Sequence, residues 1–143
     1  MKRIIAIIFI VITSKSISQN STEWMNPKPF PTTPRCVFYV DDKTGWIAGD
    51  YSVIIKTTDG GISWIEQKAP EGFYSKLFFT TSSNGWLVGR RDDTNRVGLV
   101  AYTSDGGNTW NDVWKESDKF SEFLDVDVEN SNTVFIAGNR GVY

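Results

Sequence analysis

The stretch TTDGGISW, residues 57–64, returns as TSDGGNTW, residues 103–110. A catalytic motif is needed once, whereas a structural unit is repeated, so the pair reads first as architecture. Two strands must reverse between Lys56 and Ser63. Asp59 is placed to accept hydrogen bonds from backbone N–H groups and fold the turn on itself. Gly60 and Gly61 take positive φ without a Cβ clash. Thr57 and Ser63 supply hydroxyls across the turn, and Trp64 opens the outgoing strand with its indole directed into the layer between sheets. In the second copy Asp105, Gly107, Thr109 and Trp110 stand for Asp59, Gly61, Ser63 and Trp64. Burying one indole removes about 150–250 Å² from water, worth roughly 4–6 kcal/mol as an upper bound. Beside a net domain stability of about 5–15 kcal/mol, one such anchor per unit is large.

The likeness extends outward from the two hairpins. VFYVDDKTGWIAG (37–49) aligns with LFFTTSSNGWLVG (77–89) at an offset of 40, and VIIKTTDGGISW with LVAYTSDGGNTW at an offset of 46. The second unit has therefore gained six residues, within RRDDTNRVG. A third unit begins at VDVENSNTVFIAGNRGVY (126–143), where Phe135 takes the place of Trp86 and Gly138 that of Gly89. Each unit reads as four short antiparallel strands, and a period of about 40–50 residues is that of a β-propeller blade. Trp46, Trp86 and Phe135 are the expected blade-core aromatics, because a blade is covered on both faces by its neighbours. No segment carries a helical period; the best candidate, DVWKESDKFSEFL, is broken by polar positions.

The expected fold is all-β: a partial β-propeller of two near-complete four-stranded blades and the start of a third, with repeats at about 37–75, 76–122 and 123–143. Val142 and Tyr143 align with Val53 and Ile54, in the middle of a strand. Two open blade faces would expose roughly 700 Å² of largely apolar surface, above the few hundred Å² a soluble monomer carries. The expectation is a fragment of a longer propeller; the alternative is a short chain that closes by self-association.

Composition narrows the chemistry. The chain of 143 residues holds no His, so the commonest general base and metal ligand is missing. The single Cys36 forms no internal disulfide and no thiolate cluster, and reads as a small apolar residue at a strand start. A net charge of −2 and a pI near 5.1, with no run of Lys or Arg, argue against a nucleic-acid surface. Asp59 and Asp105 are lone carboxylates between turn residues, not the oxygen cluster that calcium requires, so no cofactor or metal is expected. The N-terminus, MKRIIAIIFIVITSKSISQN, has a cationic end, an apolar run and a small-residue cleavage site after Ser18. Residues 1–18 are thus expected to be a signal peptide, which places the mature chain in the periplasm, on the cell surface or outside the cell, without a stable membrane span. Residues 19–35, with Pro27, Pro29, Pro31 and Pro34, read as an extended linker, with Trp24 and Phe30 as anchors.

These residues resemble known families. Ser/Thr-x-Asp-x-Gly-x-Thr/Ser-Trp is the Asp-box, or bacterial neuraminidase repeat, matched by Asp59, Gly61, Ser63 and Trp64 and again by Asp105, Gly107, Thr109 and Trp110. The longer pattern, Gly-Trp-x-x-Gly followed by a short strand and the box, resembles the photosystem II stability and assembly factor family over about residues 36–143. That resemblance implies a seven-bladed propeller and a non-catalytic scaffold that holds a protein partner, with an arginine-rich patch in the photosynthetic members. Arg90, Arg91 and Arg96 cluster in the second unit's insertion and are the candidate partner contact; with Asp92 and Asp93 among them, the same stretch also reads as a solvated loop. The second functional reading is a fragment of an Asp-box glycoside hydrolase or sialidase. That chemistry needs an arginine triad, a tyrosine nucleophile and acids converging from several blades.

Overall fold

The computed structural model describes residues 32–115, 121–130 and 133–142. The expected signal peptide and nearly all of the expected linker, including Trp24 and Phe30, lie outside those residues. The described chain is all-β. Strands β1 (Pro34–Tyr39), β2 (Gly45–Gly49), β3 (Ile54–Thr57) and β4 (Ile65–Gln67) form one antiparallel sheet in chain order. Strands β5 (Phe73–Phe79), β6 (Gly85–Arg90), β7 (Gly98–Thr103) and β8 (Asn111–Lys115) form a second with the same order. Strands β9 (Phe123–Asn130), β10 (Thr133–Gly138) and β11 (Gly141–Val142) form a third, three-stranded sheet among the described residues. These are the two complete blades and the partial one that the repeats imply. Strand β1 starts at Pro34, inside the segment expected as linker, with a bulge between Pro34 and Cys36.

The repeat recurs in the register. Trp46 pairs with Phe38 and Lys56 in the first sheet, as Trp86 pairs with Phe78 and Tyr102 in the second. The closing glycine of each Gly-Trp-x-x-Gly strand has a steric cause. A Cβ on Gly49 would lie 2.2 Å from the Thr33 carbonyl oxygen, and one on Gly89 2.1 Å from that of Phe73. The opening glycine has another: the ring of Tyr39 lies across Gly45, and that of Phe79 across Gly85. In the third sheet both partners change together, and Val134 pairs with Val128.

Two apolar layers hold the sheets together. Between the first and second sheets lie Trp46, Ala48, Ile54, Tyr74, Leu77, Phe79, Leu87, Leu99 and Ala101, all buried. Between the second and third lie Val88, Val100, Phe123, Val126 and Ile136, with Trp86 and Phe78 half-buried against them. The centre of the first layer is the Trp46 indole, 0% exposed, stacked on Phe79 of the next blade at a centroid distance of 3.6 Å and an interplanar angle of 8°. Trp64 differs from expectation. Its indole is half-buried, packs edge-on to Tyr39 of its own blade at 6.4 Å, and donates Nε1–H to the Gly61 carbonyl at 3.1 Å. The inter-blade anchor is therefore Trp46, on the second strand. Trp110 packs half-buried against that layer, as expected, and meets Phe79 edge-on at 5.9 Å. Phe135 is also a correction: its ring is 50% exposed, because no sheet covers that side of β10 among the described residues.

Candidate functional site

The two Asp-Gly-Gly hairpins, 57–64 and 103–110, are the most regular feature of the described residues. Asp59 Oδ1 accepts from the Thr57 hydroxyl at 2.8 Å and from the Ser63 N–H at 2.9 Å, while Oδ2 accepts from the Ser63 hydroxyl at 2.5 Å. The Thr57 hydroxyl oxygen in turn accepts from the Gly61 N–H at 2.9 Å. Asp105, Thr103, Thr109 and Gly107 repeat the set at 2.8, 2.9, 2.6 and 2.9 Å. The two hydroxyls thus converge on the carboxylate instead of meeting each other. The glycines sit at φ 76° and 92° in the first turn and 73° and 91° in the second, where a side chain would be strained. The Ser63 hydroxyl, the Ser63 N–H and the Thr57 hydroxyl, in that order, hold the Asp59 carboxyl down at about 2. The Thr109 hydroxyl, the Thr109 N–H and the Thr103 hydroxyl do the same for Asp105. Such carboxylates stay ionised at physiological pH and have their lone pairs engaged, so they suit neither proton donation nor metal capture.

The second hairpin also locks one blade to the next. The Gly106 carbonyl oxygen receives the Trp46 indole N–H at 3.1 Å, the Lys56 ammonium at 3.0 Å and the Gln67 amide at 3.4 Å, all from the first blade. The turn presses so closely that a Cβ on Gly107 would lie 2.1 Å from Gln67 Oε1, and one on Gly106 2.7 Å from Lys56 Nζ. Burial pulls the Lys56 ammonium below its ordinary value, with Asp105 acting in the opposite sense.

The opposite ends of the strands build a different surface. The turn from β2 to β3 places Tyr51 and Ser52 at φ 56° and 65°, an uncommon pair for residues with side chains. It is pinned by the Ser52 N–H on the Gly72 carbonyl at 2.8 Å and by the Gly72 N–H on the Ser52 hydroxyl at 2.9 Å. Tyr51, 68% exposed, leans on Phe73 at 5.0 Å, and the Arg90 guanidinium lies over the other partner of that ladder, 4.0 Å from the Phe73 centroid. Arg90 Nε also stands 3.9 Å from Glu122, and Arg35 makes a two-pronged pair with Asp50 at 2.9 Å on each oxygen. Arg90 borders three adjoining depressions of about 770, 270 and 160 Å³, so a shallow groove crosses all three sheets on this face.

The three candidate arginines separate. Arg90 and Arg96 line the groove together. Arg96 is held at φ 49° by its N–H and that of Asn95 on the Asp93 carboxylate, at 2.6 and 3.0 Å. Arg91 instead pairs with Asp112 on β8. Reading residues alone missed Tyr51, Phe73, Arg35 and Glu122. The available signal was positional: Asp50, Arg90 and Asn139 each follow the closing glycine of their strand, so all three belong to one end of the sheets. Cys36 is half-buried, and burial pushes its thiol up to about 11, consistent with an inert packing residue. Among the described residues no group of three acidic or Cys side chains could hold a metal, and no helix is long and apolar enough to cross a membrane.

Repeated four-stranded antiparallel sheets, packed face to face and keyed by an Asp-Gly-Gly turn, define part of a β-propeller. No protein-family model and no curated protein sequence matches the chain. Solved structures do. YCF48 bound to D1 peptide superposes with a TM-score of 0.67 at 20% identity, covering 80% of this chain and 37% of that one. YCF48 from Cyanidioschyzon merolae gives a TM-score of 0.67 at 18% identity, covering 84% of this chain and 38% of that one. The likeness supports a β-propeller fold, and the chain spans less than two fifths of either structure's length.

Proposed function

We propose that this chain is an exported, non-enzymatic β-propeller scaffold whose Tyr51–Phe73–Arg90 face binds a protein partner. The observation that carries the reading is the exposed Tyr51 ring, held in strained backbone and packed on Phe73, which with its stacked Arg90 lines a groove shared by three sheets. Tyrosine and arginine are the side chains that most often dominate protein interfaces. Strain kept in a pinned turn is characteristic of functional positions. The arrangement suits an extended segment that offers an apolar or aromatic side chain to Tyr51 and a carboxylate to Arg90 and Arg96. The solved structure of YCF48 with a D1 peptide supports peptide binding as a use of this fold. The signal-like N-terminus supports export. The hydrolase reading gains nothing from the hairpins, whose aspartates are tied up in turn geometry.

The test is capture from an envelope extract of the producing cells, identification of the captured protein, and titration of that purified protein with chain variants. Tyr51→Ala and Arg90→Ala should each weaken binding at least ten-fold while the melting temperature stays within a few degrees. Unchanged binding in both variants would refute the assignment of this face. Deleting the N-terminal 18 residues should keep the chain inside the cell on fractionation; undisturbed export of that deletion would refute the signal.

A further inference from the structure

The innermost strands of the three sheets share one irregularity. In β1 the ladder to β2 steps from Pro34 to Cys36 and skips Arg35. In β5 the ladder to β6 steps from Tyr74 to Lys76 and skips Ser75. In β9 the ladder to β10 steps from Phe123 to Asp125 and skips Leu124. The skipped residues are 40 and then 49 positions apart, which are the offsets of the repeat itself, so one β-bulge recurs in each sheet. A bulge gives up ladder pairing, re-aims the extra side chain and is enriched beside functional sites. All three re-aimed side chains line a single depression of about 270 Å³, with Phe73, Arg90 and Glu122 beside them. That depression is built from the innermost strands and the turns next to them, which are present in all three sheets. The neighbouring positions serve packing: Tyr74 and Leu77 belong to the first apolar layer, Phe123 and Val126 to the second. Arg35, Ser75 and Leu124 belong to neither layer, and they differ in kind: a cation, a small hydroxyl and an aliphatic.

We propose that Arg35, Ser75 and Leu124 are the specificity-determining residues of this face, and that they read an extended polypeptide segment with an acidic residue over Arg35, a small one over Ser75 and an aliphatic one over Leu124. The inference rests on the reading of the Tyr51–Phe73–Arg90 face as a protein-binding surface. Arg35 donates its Nε–H and one Nη2–H to Asp50 at 2.9 Å each, and its guanidinium carries further N–H donors that suit a carboxylate. Ser75 shares the middle of the depression with the stacked Phe73 and Arg90 side chains, which take up the volume there and favour a small residue. Packed sheets lie about 10 Å apart and an extended chain advances about 3.3 Å per residue, so about every third residue of the segment meets the next bulge.

The probe is a library of capped peptides, Ac-X-Thr-Thr-X-Thr-Thr-X-NH2, randomised at X and screened against the full chain by fluorescence polarisation; threonine spacers favour the extended form. Peptides that bind saturably should carry Asp or Glu at one end, Gly, Ala or Ser in the middle, and Leu, Ile or Val at the other end. Leu124→Lys should turn the aliphatic preference into an acidic one and weaken the parental peptides about ten-fold. Ser75→Tyr should weaken them about as much by filling the middle; should it unfold the chain, Leu124→Lys decides alone. Adding a third threonine to each spacer should cost a similar factor. Tyr51→Ala should weaken all selected peptides alike and leave the preferences as they are. Absence of saturable binding overturns the proposal, and so do preferences that Leu124→Lys does not move. If Tyr51→Ala and Arg90→Ala still impair binding of the captured cellular partner in that case, the face stands and only the role of the bulges falls. Preferences that follow Leu124→Lys while Tyr51→Ala has no effect would keep the bulges and remove the aromatic part of the face.

Discussion

Replacing Trp46 with alanine should destabilise the chain far more than replacing Trp64, although Trp64 belongs to the eight-residue hairpin motif and Trp46 lies outside it. Trp46 is fully buried, lies flat on Phe79 at 3.6 Å, and donates its N–H across the blade interface at 3.1 Å. Removing a buried Trp costs about 3–5 kcal/mol in other cores, combining lost transfer energy with a residual cavity. The Gly106 carbonyl keeps Lys56 and Gln67, so the lost hydrogen bond adds only about 1 kcal/mol. Trp64 is half-buried and meets only its own blade, so about half of the transfer term applies, roughly 2 kcal/mol. The assay is urea unfolding followed by circular dichroism. With a slope of about 1–3 kcal/mol/M, a difference of about 2 kcal/mol moves the midpoint by about 1 M. Trp46→Phe should recover most of the loss, since a ring remains on Phe79. Equal midpoints for Trp46→Ala and Trp64→Ala, or a larger loss for Trp64→Ala, would refute the assignment of the inter-blade anchor to the second strand.

Three further outcomes follow from the same geometry. Gly60→Ala and Gly106→Ala impose the same left-handed strain, at φ 76° and 73°, but only the second drives a Cβ to 2.7 Å from Lys56 Nζ and the Ser82 carbonyl. Gly106→Ala should therefore lower the urea midpoint more, and equal shifts would show that the turn does not press on the first blade. Asp59 and Asp105 have carboxyls depressed from 3.8 to about 2, so their contribution is complete above pH 4 and fades as pH falls toward 2. Thermal melting should hold steady from pH 7 to about 5 and decline below 4, and Asp105→Asn should flatten part of that decline; an unaltered acid profile in the double variant Asp59→Asn, Asp105→Asn would remove the carboxylates as its cause. Arg91→Ala should release Asp112 on β8 without touching the groove, leaving partner binding as in the parent, where Arg90→Ala weakens it.

What could be read from the residues alone divides by sequence distance. The hydrogen bonds within each Asp-Gly-Gly hairpin join positions two and four apart, and the identities of the donors and of the acceptor suffice to draw them. The blade period and the six extra residues within 90–98 are legible for the same reason, since a repeat aligns with itself. The inter-blade hydrogen bonds to Gly106 join positions 39 to 60 apart, and nothing in either local stretch announces them. Trp64 was the natural candidate for the buried anchor because its motif is the conspicuous one. Yet a residue that begins the outer strand lies near the rim, and the second strand, enclosed within the sheet, supplies the deepest ring. Phe135 inherits that second-strand position, but a position is buried only when something covers it.

The glycines connect both scales. Gly106 and Gly107 are required by the turn, which any alignment of the two hairpins suggests, and again by the neighbouring blade, which only the packed structure shows. A feature that satisfies a local and a distant constraint with the same atoms ties the hairpin's shape to its neighbour's. The paired change at the third sheet obeys the same logic in reverse. Where Gly45 and Gly85 accept the rings of Tyr39 and Phe79, Val134 faces Val128, so the ring and the missing Cβ that makes room for it are exchanged together. A ring without a glycine beneath it would clash, and a glycine without a ring would leave a void, so in a close-packed interior the two positions change as a pair.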